Sequence, residues 1–155
     1  MLFVPFVLLL VLAAVTDIRH LIIPDCVPLL ISLLSLISLA AGAPPSAASR
    51  LVGALTCGGF LAALLLLTGG VGWGDVKLMA AGGLFLGAER AFPALLSAYF
   101  MAALWCIPLL LCRRARRDSA IPMAPFFGLS LLLWGLWGGR LLAWYFGPFS
   151  GPPVS

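Results

Sequence analysis

The sequence predicts an all-α integral membrane protein, a bundle of six transmembrane helices joined by short loops. Three observations predict it. The 155 residues are 63% hydrophobic and 9% charged, where a soluble domain carries about 25% charged residues. Mean hydropathy is +1.19, which leaves too little polar surface for a water-soluble fold. The apolar residues also fall into six runs parted by Pro, Gly or charge, all but the longer sixth close to or somewhat short of the ~20 residues of a span. The length suits one compact bundle, and residues 1–155 read as a single domain without an internal repeat.

The first run, residues 2–16 with a possible extension to His20, lacks the basic start and small-residue cleavage site of a signal peptide, so it reads as a span. Pro24 and Pro28 flank the entry to the second, 26–42, where a missing amide does least harm, and Asp25 is placed to cap it. Gly42-Ala43-Pro44-Pro45-Ser46 is a turn-rich connector to the third, 51–68. Gly69 to Gly74 form a flexible approach to the short fourth run, 76–88, which carries Lys77 near its start. Glu89 and Arg90 mark a tight polar turn before the fifth, 91–112. The sixth, 120–146, opens through Pro122 and Pro125, which loosen its start, and the Pro- and Gly-rich tail, 147–155, reads as irregular.

Charge sets an orientation. With six spans, the loops after the first, third and fifth lie on one face and carry Arg19, Lys77, Arg113, Arg114, Arg116 and Arg117. The other face has Arg50, Arg90 and Arg140. The positive-inside rule places the first set in the cytoplasm. The arginine run is therefore a topology marker, and the net charge of +4 does not point to nucleic acid. Cys26, Cys57, Cys106 and Cys112 form no CxxC pair and have no histidine beside them, so no metal site, cofactor or disulfide framework is expected.

Asp17 and Asp75 belong to a set of only five acidic residues, and each abuts an apolar run. A carboxylate in hydrocarbon costs roughly 2.5–3.5 kcal/mol even on insertion scales, so such residues tend to be functional. Charge parity puts both on one membrane face. Two carboxylates about 4 Å apart at an effective dielectric near 20 repel by roughly 4 kcal/mol, enough to keep one protonated at neutral pH. A dyad holding one proton activates water with one member and protonates a carbonyl with the other. Helix ends suggest the division: Asp17 at a C-terminal end would keep the proton and Asp75 at an N-terminal end would be the base, a bias of about 0.3–1 kcal/mol. Gly72 and Gly74 would support the site by allowing close backbone approach. Taken singly, each aspartate has an ordinary reading: Asp75 as a helix cap, Asp17 as a partner of Arg19 or Arg113.

Three stretches resemble one family. Asp17-Ile18-Arg19 with Ile23-Pro24-Asp25, Gly72-Trp73-Gly74-Asp75-Val76-Lys77-Leu78, and Ile121-Pro122-Met123-Ala124-Pro125-Phe126 are similar, in order, to the blocks of type IV prepilin peptidases. The resemblance implies a polytopic GxGD aspartic endopeptidase of the bacterial inner membrane. Such an enzyme removes the leader of a prepilin or pseudopilin at the cytoplasmic face, with Asp17 and Asp75 as the catalytic pair. The paired CxxC segment of longer bifunctional members is not seen, so the chain looks like the short branch associated with Flp-type pili, and N-methyltransferase activity is not assigned. Two other classes compete: a small proton- or ion-coupled transporter using the same aspartates, and a non-catalytic assembly scaffold. Removal of a pilin leader discriminates them from a peptidase.

Overall fold

The computed structural model of the chain describes residues 2–111 and 122–146. Among the described residues six helices follow one another: α1 (Phe3–His20), α2 (Cys26–Ala40), α3 (Ala47–Thr68), α4 (Trp73–Leu86), α5 (Ala88–Leu111) and α6 (Ala124–Phe146). Helices α1, α3, α5 and α6 are long and apolar enough to cross a membrane. Helix α2 has 15 residues and α4 has 14, which at 1.5 Å per residue is about 21–22 Å, short of a ~30 Å hydrocarbon core.

Helical periodicity separates inner from outer faces. Phe6, Leu10, Ala13 and Asp17 form the buried stripe of α1, spaced four, three and four residues apart as one helical face requires. Val4, Leu8, Val11 and Val15 occupy the other side and are exposed. Apolar side chains facing outward around a packed interior are what a lipid-facing helix presents. Asp17 points inward because it continues the buried stripe, not because of anything polar beside it in sequence.

Helix α4 is the hub, in contact with α2, α3, α5 and α6, while α1 packs on α2 and α6. The α3–α4 contact is backbone against backbone. A Cβ on Gly53 would lie 2.5 Å from the Gly83 carbonyl oxygen, and one on Gly83 would strike the Gly53 carbonyl in turn. Small residues facing each other in this way let two helices approach closely where lipid gives little hydrophobic drive.

Several boundaries differ from the sequence expectation, each for a local reason. Helix α3 begins at Ala47 rather than 51, because the Ser46 hydroxyl accepts the Ser49 amide at 3.4 Å as an N-cap. The turn before α5 falls at Gly87, leaving Glu89 and Arg90 inside the helix. There the Ala88 amide donates to Ser49 Oγ at 3.1 Å. Arg50 is 2% exposed. Its guanidinium donates to the Pro45, Ser35 and Ala43 carbonyls and the Ser35 and Ser38 hydroxyls, all at 2.8–3.1 Å. The arginine run Arg113–Arg117, Cys112 and the 147–155 tail lie outside the described residues.

Candidate active site

The C-terminal end of α1, the 21–25 connector and the first turn of α4 meet around a cavity of about 230 Å³. Asp17 and Asp75 both line it, with Gly72 and Gly74 between them and Ile22, Ile23 and Trp73 as apolar wall. The two carboxyl groups are close enough for their charges to interact. The sequence thus separates by more than fifty positions two acids that the fold brings to one cavity.

Asp17 is 6% exposed, and its Oδ2 accepts the Ala124 backbone amide at 2.8 Å. The local chemistry explains why that amide is available. Ala124 opens α6, where amides have no intrahelical acceptor. Pro122 and Pro125 on either side have no amide to offer. Pro125 sits in the first turn, where a proline costs nothing, so the two prolines frame a helix start rather than kink one. The Ala124 amide also opposes the bias expected at Asp17 from α1 alone, because the N-terminal end of α6 favours negative charge there. After Asp17, α1 closes with Leu21 in the left-handed region at φ 53°, its amide donating to the Asp17 carbonyl at 2.8 Å. That turn sends Ile22 and Ile23 back over the site.

Asp75 does not cap α4; it is the third residue inside it, and Gly72 holds the cap position. The Gly72 backbone amide hydrogen-bonds back to the Asp75 carboxylate, as an acid at this place in a capping box does. Of the two supporting glycines, Gly74 carries the steric demand. A Cβ there would lie 3.0 Å from Ile23 Cβ, whereas at Gly72 the nearest atom would be Asp75 Oδ2 at 3.4 Å. Gly74 therefore lets the 21–25 connector lie against the first turn of α4.

Lys77 and Asp25 complete the rim. Their side chains form an ion pair at 2.7 Å, both well exposed. Asp25 precedes α2, yet its carboxylate makes no capping bond; it serves the connector between α1 and α4 instead. Lys77 turns toward the cavity it helps line, not away from it as its spacing from Asp75 implies. Arg19 and His20 are exposed and lie outside the cavity lining. Sequence reasoning missed the Ala124 amide, although the Pro-rich stretch around it was visible. It also missed the Asp25–Lys77 pair, which no local pattern announces.

A larger cavity, about 300 Å³, lies at the opposite end of the bundle between Pro44–Ser49 and Leu86–Arg90. Its only acid is Glu89, so it offers no carboxylate pair, and the smaller cavity is the better candidate for acid–base chemistry.

No solved structure matches the chain. Among curated proteins, the Bacillus subtilis (strain 168) prepilin leader peptidase/N-methyltransferase is 33% identical over 145 residues, covering 92% of this chain and 58% of that protein. The Legionella pneumophila protein of the same name is 32% identical over 140 residues, covering 84% of this chain and 48% of its own length. That of Aeromonas salmonicida (strain A449) is 36% identical over 85 residues, covering 54% and 29%. The chain thus spans less than two thirds of the length of these relatives. The model of the type IV leader peptidase family matches residues 4–107, a stretch that contains both aspartates and the glycines between them. On these matches, the chain belongs to the type IV leader peptidase family.

Proposed function

We propose that this protein is a membrane-embedded aspartic endopeptidase that removes the leader peptide of a prepilin or pseudopilin, of the Flp type, at the cytoplasmic face of the inner membrane. The observation that supports this most is the shared cavity of Asp17 and Asp75, in a chain of the leader peptidase family. In this reading all six helices span the bilayer, with α2 and α4 as short spans. Short spans thin the bilayer locally, which brings water and the extended part of a substrate toward the dyad.

The proposed chemistry needs one charged and one protonated carboxyl. The Ala124 amide and the start of α6 favour the charge on Asp17, and we take this contact over the bias from the ends of α1 and α4, which pointed to Asp75 as the base. Asp17 then takes a proton from water as the oxygen attacks the scissile carbonyl, and Asp75 gives its proton to the carbonyl oxygen. Collapse of the tetrahedral adduct breaks the C–N bond: one of its two hydroxyls returns a proton to Asp75 as the carbonyl re-forms, and the departing amine receives the proton held by Asp17. The apolar wall of Ile22, Ile23 and Trp73 suits the hydrophobic segment that follows the cleavage point in such substrates.

Coexpression with a Flp-type prepilin, read as a gel shift on leader removal, tests the proposal. Asp17→Asn and Asp75→Asn should each lower cleavage by about a hundredfold or more, the range of acid–base catalysis, with membrane insertion intact. Cleavage retained in either variant would sink the dyad.

A further inference from the structure

A groove of about 580 Å³ lies beside the dyad cavity and shares Asp25 and Lys77 with it. Its form follows from how three helices pack. Helices α2 and α3 both pack on α4 and far less on each other, so a stripe of α4 is left uncovered between them. Ala80, Ala81 and Leu84 make that stripe, at +3, +4 and +7 from Lys77. Pro28, Leu29 and Ser32 face it from α2 at the same three spacings from Asp25. Each set is therefore one face of its helix over two turns, about 10 Å.

The two ends of the groove differ. At the far end Ala54 of α3 lines it with Leu84. One turn before Ala54, the Arg50 guanidinium donates to Ser35 and Ser38 of α2, and Ser35 donates to the Leu84 carbonyl. That seam joins α2, α3 and α4 and closes the groove away from the dyad. At the near end the groove meets the dyad cavity across the Asp25–Lys77 ion pair, which is exposed. Such pairs hold weakly against competing contacts, so a chain can pass over this one from cavity to groove. The walls are helices whose backbone groups bond internally. An extended segment lying there would leave its own amides and carbonyls unpaired, whereas a helix carries its bonds with it. Ala54, Ala80 and Ala81 leave room for such a helix to come close.

We propose that this groove docks the hydrophobic segment of the substrate as a helix, which starts just past the scissile bond at the Asp25–Lys77 rim and runs along α4 to Ala54 and Leu84. The identity of the occupant rests on the peptidase reading. Disulfide trapping tests the docking, in a protein without native cysteines that carries Asp75→Asn, so that a coexpressed Flp-type prepilin stays uncut. Ala54→Cys and Leu84→Cys report the deep end from two walls. Phe100→Cys, on α5 at a position 70% exposed, reports a site outside the groove. Single cysteines are placed at successive positions after the cleavage point of the prepilin. A disulfide needs Cα atoms within about 7 Å. Trapping by Ala54→Cys and Leu84→Cys should peak about seven to ten positions past the cleavage point, the helical rise along the groove, and recur every three to four residues. Yield there should exceed that with Phe100→Cys about tenfold or more, because docking raises the local thiol concentration. Equal yields at the three sites, trapping without helical spacing, or no trapping each overturns the groove. In those cases a cysteine-free parent that still cleaves the prepilin keeps the peptidase reading. Specific trapping beside a parent that leaves the leader in place would keep the groove as a docking site and overturn the peptidase reading.

Discussion

At the scale of single residues, the two glycines before Asp75 give a sharp test, because the fold treats them differently. Gly74→Ala would place a Cβ against Ile23 Cβ, at 3.0 Å, and push the 21–25 connector away from α4. Overpacking of this kind costs typically 1–3 kcal/mol. Because the strain falls between the segments that carry Asp17 and Asp75, cleavage should drop about tenfold. Gly72→Ala meets only the carboxylate it already touches, at ordinary contact distance, and should stay within about threefold of the parent. Initial rates of leader removal compare the two, and a Gly72→Ala defect larger than that of Gly74→Ala would refute the steric account. The aspartates themselves were legible in the sequence because charge is scarce in an apolar chain. The partners that hold them were not. A backbone amide has no sequence signature, and the Asp25–Lys77 pair joins residues 52 positions apart.

Between residue and bundle stand the helices, and there the buried Arg50 governs the α2–α3 connection. From the sequence it counted only as one of three basic residues on the less basic face. In the fold its fork reaches three carbonyls and two serine hydroxyls, and one of those serines, Ser35, donates onward to the Leu84 carbonyl of α4 at 2.7 Å. One side chain thus ties the end of α2, the 43–45 connector and the hub helix together. Its charge meets no carboxylate among these partners, so the cost of burial is offset by hydrogen bonds alone. Arg50→Leu leaves several acceptors unpaired at about 1–3 kcal/mol each and should destabilise the protein by roughly 3 kcal/mol or more. Arg50→Lys, a point donor without the fork, should fall between. Thermal unfolding in detergent measures both, and a leucine variant as stable as the parent would show that the network contributes nothing net. The same residue explains why the start of α3 was misjudged. An arginine beside an apolar run reads as loop, and only tertiary partners make it interior.

Across the whole molecule, composition and periodicity were enough to give the six helices seen among the described residues, in the observed order, because hydropathy and Pro/Gly punctuation are local signals. They also gave the fourth run as short, but they placed its start at 76 rather than Trp73 and carried the second to 42 rather than Ala40, since the bounds of these helices depend on caps and contacts supplied by other segments. Orientation is the remaining large-scale property, and the fold sharpens its test. The ends that meet at the dyad are the C-terminus of α1 and the N-termini of α4 and α6, while Pro44–Ser49 and Leu86–Arg90 meet at the opposite end. On the proposed six spans, the positive-inside rule would put the first set in the cytoplasm. Arg19 is exposed beside the dyad end, and Glu89 lines the opposite cavity. In a background without native cysteines, Arg19→Cys should react with a membrane-impermeant thiol reagent only in inside-out vesicles. Glu89→Cys should react only in right-side-out vesicles. Labelling of both positions from one side would overturn the six-span arrangement, because the stretch between them would then cross the bilayer an even number of times. A clean exchange of sides would keep the spans and move the dyad to the outer face, where a leader still tethered in the cytoplasm is out of reach.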